Sequence, residues 1–363
     1  MDNDTVPVTG VDELDAHLDQ LLADPALPPT VKLFDDVELQ LNSANIPPLI
    51  PRLLPKLTEI LQQYQQDPAV LCSLAVKLLA PVTFTQVLSM ASEESLIQAL
   101  RSPAPSANLL AMAILEKAAR SPADAAILAM MNSIVSAFLT TWLSAPQVEV
   151  GEKGTKVLGD LLDTDCETRP PPGGPSSTLN GMEITLRNKP AGQGLMWRRV
   201  FHDRDIYGLV LSLGSRGPHQ NAEGGLSEQQ LTLAQGRLMR VMPRLAALNL
   251  AAVTRTDFPD LNERYVETHV SNDQGLLHFV ALHMVDKEDL LMHLNLVDFF
   301  EELVSLQRIT PFSTFKMDTL RALMREVLQG DDRLRSAMVD LPNRTVPEEA
   351  EELRNFVREI IQL

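Results

Sequence analysis

Pro48-Leu49-Ile50-Pro51-Arg52-Leu53-Leu54-Pro55-Lys56-Leu57-Thr58-Glu59-Ile60-Leu61-Gln62-Gln63-Tyr64-Gln65-Gln66-Asp67-Pro68 decides the fold. Leu49, Leu53, Leu54, Leu57, Ile60 and Leu61 recur at the spacing of one helical face, which predicts an amphipathic helix over residues 48–66. Proline is tolerated in a helix's first turn and breaks its interior, so the opening prolines mark a start. Asp67-Pro68 then begins the pattern again, as an N-cap followed by a first-turn proline.

The same grammar runs in both directions along the chain. Towards the N-terminus, residues 11–22 carry Val11, Leu14, Leu18, Leu21 and Leu22 on one face, with Asp12, Glu13, Asp15, Asp19 and Gln20 opposite. That polar outer face suits a terminal capping repeat. Residues 31–41 form a second amphipathic stretch. Further on, helices are expected over 70–79, 83–90 and 93–100, with Ser92, Ser106 and Ser121-Pro122 as starts, and over 147–162. Long helices are expected over 195–213, 227–248 and 274–306, and shorter ones over 314–328, 331–339 and 347–362. In the 274–306 stretch, Asp286 and Asp289 stand ahead of Leu290 as a capping arrangement. One hairpin to the next takes roughly 35 to 45 residues, the range of HEAT and armadillo units.

The expected fold class is therefore all-α: a curved α-solenoid of HEAT/armadillo-like helical hairpins with one disordered insertion. Its parts are a flexible N-terminus (1–10), N-terminal repeats (11–163), the insertion (164–194) and C-terminal repeats (195–363). The insertion contains Arg169-Pro170-Pro171-Pro172-Gly173-Gly174-Pro175-Ser176-Ser177, which cannot bury enough apolar surface to offset its ordering entropy. Within it, Met182, Ile184 and Leu186 alternate as in a short strand over 181–187, the alternative being extended linker. The closing Phe356, Ile360, Ile361 and Leu363 are apolar where a polar cap belongs, so further repeats are expected beyond them.

Composition narrows the function. The 363 residues exceed what one compact core serves, and a repeat array resolves this better than two globular domains. Lys plus Arg total 31 against 48 Asp plus Glu, a formal charge of −17, which repels phosphate backbones and favours basic partners. Two cysteines, Cys72 and Cys166, are too few for a disulfide framework and fit a reducing compartment. Met1-Asp2-Asn3-Asp4 lacks the basic start of a secretory signal, so the expected location is cytoplasmic, with the nucleus also open, and the sequons at Asn3 and Asn343 carry no weight. The uncharged stretch 125–143 imitates a membrane span. Asn132, Ser133, Ser136, Thr140 and Thr141 interrupt it, and it is expected as a buried solenoid helix.

No catalytic or cofactor motif emerges. Gly151-Glu152-Lys153-Gly154-Thr155-Lys156 lacks phosphate-loop spacing and a preceding strand. His278, His283 and His293 stand five and ten residues apart, not the three or four that one helix needs for a metal pair. Leu213-Gly214-Ser215-Arg216-Gly217 is a turn, not a nucleophile elbow. The two thiols are read as inert. Neither a metal, a cofactor nor catalysis is expected.

Leu195-Met196-Trp197-Arg198-Arg199-Val200-Phe201-His202-Asp203-Arg204-Asp205-Ile206-Tyr207 places a tryptophan helix before an aromatic-His-Asp step and a second helix with Ile206, Leu209 and Leu213. Ala234-Gln235-Gly236-Arg237-Leu238 and Leu282-His283-Met284-Val285-Asp286-Lys287-Glu288-Asp289 belong to stretches of the same style. Across residues 33–306 the chain resembles the HEAT-like assembly chaperones of the proteasome regulatory-particle base, whose fungal member was once named a mismatch-repair protein. The resemblance implies a curved solenoid that holds the C-terminal domain of one proteasomal triple-A ATPase in its concave face and delays docking onto the core particle. Trp197 is read as a core anchor.

The candidate partner contacts are Asp160, Asp163, Asp203, Asp205, Asp289 and Asp298, chosen because they lie on or beside helices and can steer a basic domain. A monomer that binds a protein, with no nucleic acid and no membrane, is the expectation. The alternatives are another helical-repeat scaffold for cargo, cytoskeletal or signalling complexes, a role on DNA, which the charge opposes, and an enzyme, which no motif favours.

Overall fold

In the computed structural model the described residues are 8–167, 177–179, 182–184, 190–216, 225–265 and 274–361. The chain is an all-α solenoid. Its first half runs α1 (Val11–Ala23), α2 (Val31–Glu38), α3 (Ile50–Gln63), α4 (Ala69–Leu79), α5 (Phe84–Leu88), α6 (Glu93–Leu100), α7 (Pro105–Ala118), α8 (Pro122–Met130), α9 (Asn132–Ser144) and α10 (Val148–Thr164). The second half runs α11 (Leu195–Phe201), α12 (Arg204–Gly214), α13 (Glu228–Leu248), α14 (Leu250–Thr254), α15 (Pro259–Tyr265), α16 (Leu276–His278), α17 (Leu290–Ile309), α18 (Thr314–Val327), α19 (Asp332–Asp340) and α20 (Pro347–Ile361).

Side-chain caps fix many of the starts. Thr83 and Ser227 form full capping boxes with Gln86 and Gln230, and Ser92, Ser121, Asp203, Asp289, Ser313 and Asp331 each accept from an amide of the first turn. The helix expected to start at Ser106 opens earlier, since α7 begins at Pro105, whose missing N–H costs nothing there. Pro55 and Pro243 sit inside α3 and α13, where buried apolar neighbours such as Leu53, Leu57 and Met242 offset the lost backbone bond.

One row of helices stacks α4 on α7, α7 on α10, α10 on α13 and α13 on α17. A second row stacks α6 on α9 and α9 on α12, and a third stacks α8 on α11 and α11 on α14. The units are thus three-helix, armadillo-style rather than plain hairpins in the middle of the array. Hydrogen bonds between units repeat the pitch read from the sequence: Lys117 reaches back 38 residues to Leu79, Thr141 reaches 41 to Leu100, Thr164 reaches 45 to Ala119 and Trp197 reaches 35 to Leu162.

These bonds solve one physical problem. The last carbonyls of a helix have no partner within it, and α6, α9 and α10 have no basic residue in their last turn. Their acceptors are met from the following helices. Asn108 Nδ2 donates to Ala99, Leu100 and Ser102 at the end of α6, at 3.0, 2.8 and 3.0 Å. Lys117 Nζ donates to Leu79 O and Val82 O at 2.6 and 3.0 Å beyond α4, and burial pulls its pKa down to about 8. Gln235 closes α12 through Gly214 O at 3.0 Å, and Lys316 closes α17 through Gln307 O at 3.0 Å.

Two sequence expectations change. The uncharged stretch 125–143 is not one helix: α8 and α9 meet at Met131 with a bend of 93°, and both are largely buried. Among the described residues no single helix is long and apolar enough to cross a bilayer. The expected helix over 274–306 is also broken, into α16 with a π-type turn at Phe279–His283 and a separate α17 capped by Asp289, because the Asp286 carboxylate folds the link by accepting from Glu288 N. The stretch 195–213 divides at the Asp203 cap into the tryptophan helix and the second helix read from the sequence.

The edges of the insertion belong to the fold. Thr164 closes α10, and Asp165 and Cys166 are fully buried. Asp165 staples the returning chain: its Oδ1 accepts from Gln193 N at 2.9 Å, its Oδ2 from Met196 N at 2.5 Å, and its carbonyl from Gly194 N at 3.1 Å. A Cβ on Gly192 would stand 2.1 Å from the Asp165 backbone, and Gly194 holds φ +68°, so both positions need glycine. Between these edges Ser177–Leu179 and Met182–Ile184 pair as an antiparallel hairpin, with Thr178 opposite Glu183, which meets the alternation seen over 181–187. Residues 168–176, 180–181 and 185–189, including the proline-rich run, lie outside the described residues.

Candidate partner-binding face

The helices α7, α10, α13 and α17 each turn one polar stripe outward, and the stripes interlock. On α7, Glu116 receives Lys153 of α10 at 2.5 Å and also Lys156. Burial alone would raise the Glu116 carboxyl, but the two ammonium groups overcome it and hold it below its ordinary value. Lys156 pairs with Asp160 at 2.9 Å one turn on. From α13, Arg244 reaches Asp160 at 2.9 Å and Asp163 at 3.7 Å, and Arg240 pairs with Glu152. On α17, burial pushes the Glu302 carboxyl up to about 7, opposed by Arg240 and assisted by Asp298.

Small residues bring these helices together. A Cβ on Gly159 would meet Arg244 Nη1 at 2.4 Å, and one on Gly151 would meet the Arg237 guanidinium at 2.1 Å. The glycine-lysine run that sequence reading sets aside as a phosphate loop is thus a packing device: Gly151 and Gly154 admit Arg237 and Trp142, and Lys153 and Lys156 face the ladder.

The six candidate aspartates divide by environment. Asp160 and Asp163 are engaged by Arg244, and Asp203 caps α12 while pairing with Arg199. Asp289 caps α17 through Leu291 N and Met292 N at 2.9 and 3.2 Å. Asp205, in the first turn of α12, and Asp298, in the middle of α17, are exposed. The structure does not gather the six into one site. Asp289 and Asp298 flank an open apolar patch: Leu290, Leu291 and Leu294 are each more than half exposed on the first turns of α17. Hydrophobicity alone could not tell the buried side of this helix from the open one, since both are rich in leucine.

The histidines stand apart in role. His293 Nε2 lies 3.0 Å from Asp331 Oδ2 in a buried pair, whereas His278 and His283 belong to the α16 and π-type segment. Among the described residues no three His, Cys, Asp or Glu side chains are grouped to hold a metal ion. Cys72 and Cys166 are both buried, and burial pushes the Cys72 thiol up to about 11, where it is a poor nucleophile.

Residues 15–150 match a family model described as "DNA mismatch repair protein HSM3, N terminal domain". That stretch is similar to an HSM3 N-terminal domain. The matched stretch begins within α1 and ends in the first turn of α10, so it includes Glu116 and leads into the ladder, while α13 and α17 lie beyond it. No curated protein matches the sequence significantly.

The ladder makes a pH prediction. Glu302 binds its proton more tightly folded than unfolded between pH 4.5 and about 7, so stability falls as pH rises through that window and the ionised carboxylate remains a cost above it. Glu302→Gln should therefore raise unfolding free energy by about 1 kcal/mol at pH 8 and leave it little changed near pH 4. Urea unfolding of both proteins at the two pH values checks this; equal stability at pH 8 would show that Glu302 is not strained by its burial.

Proposed function

We propose that this protein is a non-enzymatic assembly chaperone of the proteasome regulatory-particle base. It binds the C-terminal domain of one triple-A ATPase subunit on the face formed by α7, α10, α13 and α17 and delays docking onto the core particle. The similarity of residues 15–150 to an HSM3 N-terminal domain, continued by an unbroken row of helices, is the observation that carries this reading. The solenoid offers a long surface, the net charge of −17 steers a basic domain towards it, and Asp298 and the exposed leucines of α17 remain to make contact on that face, with Asp205 exposed on α12 outside it. The protein acts as a monomer before it meets its partner, in the cytoplasm or nucleus, without cofactor.

The test is capture of separately purified ATPase C-terminal domains at low salt. One domain should be retained selectively, and Asp298→Lys should weaken that capture by about tenfold at low salt and less at high salt. Retention of none, or of all equally, would overturn the proposal. The family's printed name raises a role on DNA, which the charge opposes; salt-sensitive micromolar binding of duplex DNA would favour it instead.

A further inference from the structure

The second row of helices packs α6 on α9 and α9 on α12, but between α3 and α6 it opens into a cleft of about 460 Å³. Leu54 of α3 and Leu96 of α6, on its two sides, belong to one apolar cluster with Cys72, Ala75 and Ala111 beneath them. The cavity beneath α9 and α11, by contrast, measures about 10 Å³. An unfilled apolar space of the cleft's size costs stability, and 460 Å³ lies within the range of small-molecule sites.

The chemistry of the walls is selective. The floor is Cys72, Ala75 and Ala111, the two sides carry Leu61 and Ala99, and none of the lining residues is charged. The contrast is with a cavity of similar size, about 520 Å³, at the N-terminal end, which is lined by Asp12, Glu13 and Arg52. In a chain with 22% charged residues, uncharged walls on five helices define what can enter. An ion would lose its hydration there with no counter-charge, whereas an apolar body loses nothing. Gln62 on α3 and Gln98 on α6 stand exposed at the mouth and can hydrogen-bond a neutral polar end.

We propose that the cleft between α3 and α6 is a binding site for an uncharged, mainly apolar small molecule. The site lies wholly within the matched stretch and is independent of the ATPase-binding reading.

The probes are N-phenyl-1-naphthylamine and its sulfonate, 8-anilinonaphthalene-1-sulfonate, which differ by one negative charge. The neutral dye should bind the full chain at one site with micromolar affinity, at least tenfold tighter than the sulfonate. The preference should persist in about 1 M salt, where the Debye length is about 3 Å and repulsion by the acidic surface is screened. Ala99→Trp, which fills the cleft, and Leu61→Glu, which charges a half-buried wall, should each weaken the neutral dye at least tenfold. Circular dichroism confirms the fold of each variant, and Leu61→Glu serves if Ala99→Trp does not fold. Absence of one-site binding by the folded wild-type chain, loss of the preference at high salt, or wild-type affinity in a folded variant would overturn the proposal.

Discussion

Arg237→Ala should lower the unfolding free energy by about 3–5 kcal/mol and split unfolding into two transitions. The Arg237 guanidinium is buried, and its fork donates to Trp142 O and Leu143 O at 2.7 and 3.2 Å and to Gln147 O at 3.0 Å. It thereby closes the end of α9 and ties the approach to α10, some ninety residues away in sequence, to α13. Alanine would take a donor from three carbonyls, leaving Gln147 O with Gly151 N at 3.3 Å, and would open a hole against Gly151, whose missing Cβ makes room for the guanidinium. Lysine would keep the charge but not the fork, so Arg237→Lys should recover only a minor part of the loss. A repeat array is held by its nearest-neighbour interfaces, and weakening one of them uncouples the blocks on either side. Denaturation followed by tryptophan fluorescence reads the event, because Trp142 lies at the broken contact. A single transition with an unchanged midpoint would show that Arg237 does not couple the two halves.

The dependence on Arg237 marks where sequence reading stops. Helix positions were legible because their causes are local: proline cannot sit freely within a turn, and Ser92, Ser121 and Ser227 each supply a capping oxygen to amides two or three residues away. The repeat pitch was legible for the same reason between α4, α7 and α10. What no local pattern carries is the partner of a helix's last carbonyls. Asn108 and Lys117 act within the expected pitch, but Arg237 and Arg244 answer α9 and α10 across the insertion and the α11–α12 pair, which lengthens the separation to between 84 and 95 residues. Asp160 and Asp163 therefore read as surface charges until Arg244 is set beside them. Asp289 carried a cap signature in the sequence, an aspartate directly before an apolar helix, and Asp203 proves to be a cap as well; in both the cap competes with any role in recognition. The cleft was beyond reach altogether, because it depends on how far α3 stands from α6 and not on the residues of either one.

Trp197→Ala should cost about 3–5 kcal/mol, with the loss centred on the return of the chain after residue 190. The indole is almost wholly buried, stacks on Phe201 with centroids 5.3 Å apart, and donates from Nε1 to Leu162 O at 2.8 Å near the end of α10. That single bond joins the last turn before the insertion to the first helix after it. Asp165 holds the same junction from the other side through Gln193 N and Met196 N, so indole and carboxylate act on one closure. Trp197→Phe keeps most of the packing and loses the donor, which leaves one buried carbonyl to be satisfied by water; its cost should be about 1–2 kcal/mol. The alanine variant adds a cavity against Met196 and Val200 and should also expose the 165–167 and 190–194 edges to protease, whereas the α18 to α20 end keeps wild-type resistance. Limited proteolysis with mass mapping of the cuts separates local from global loss. Cuts spread evenly along the chain, or none at these edges, would show that the closure after the insertion does not rest on Trp197.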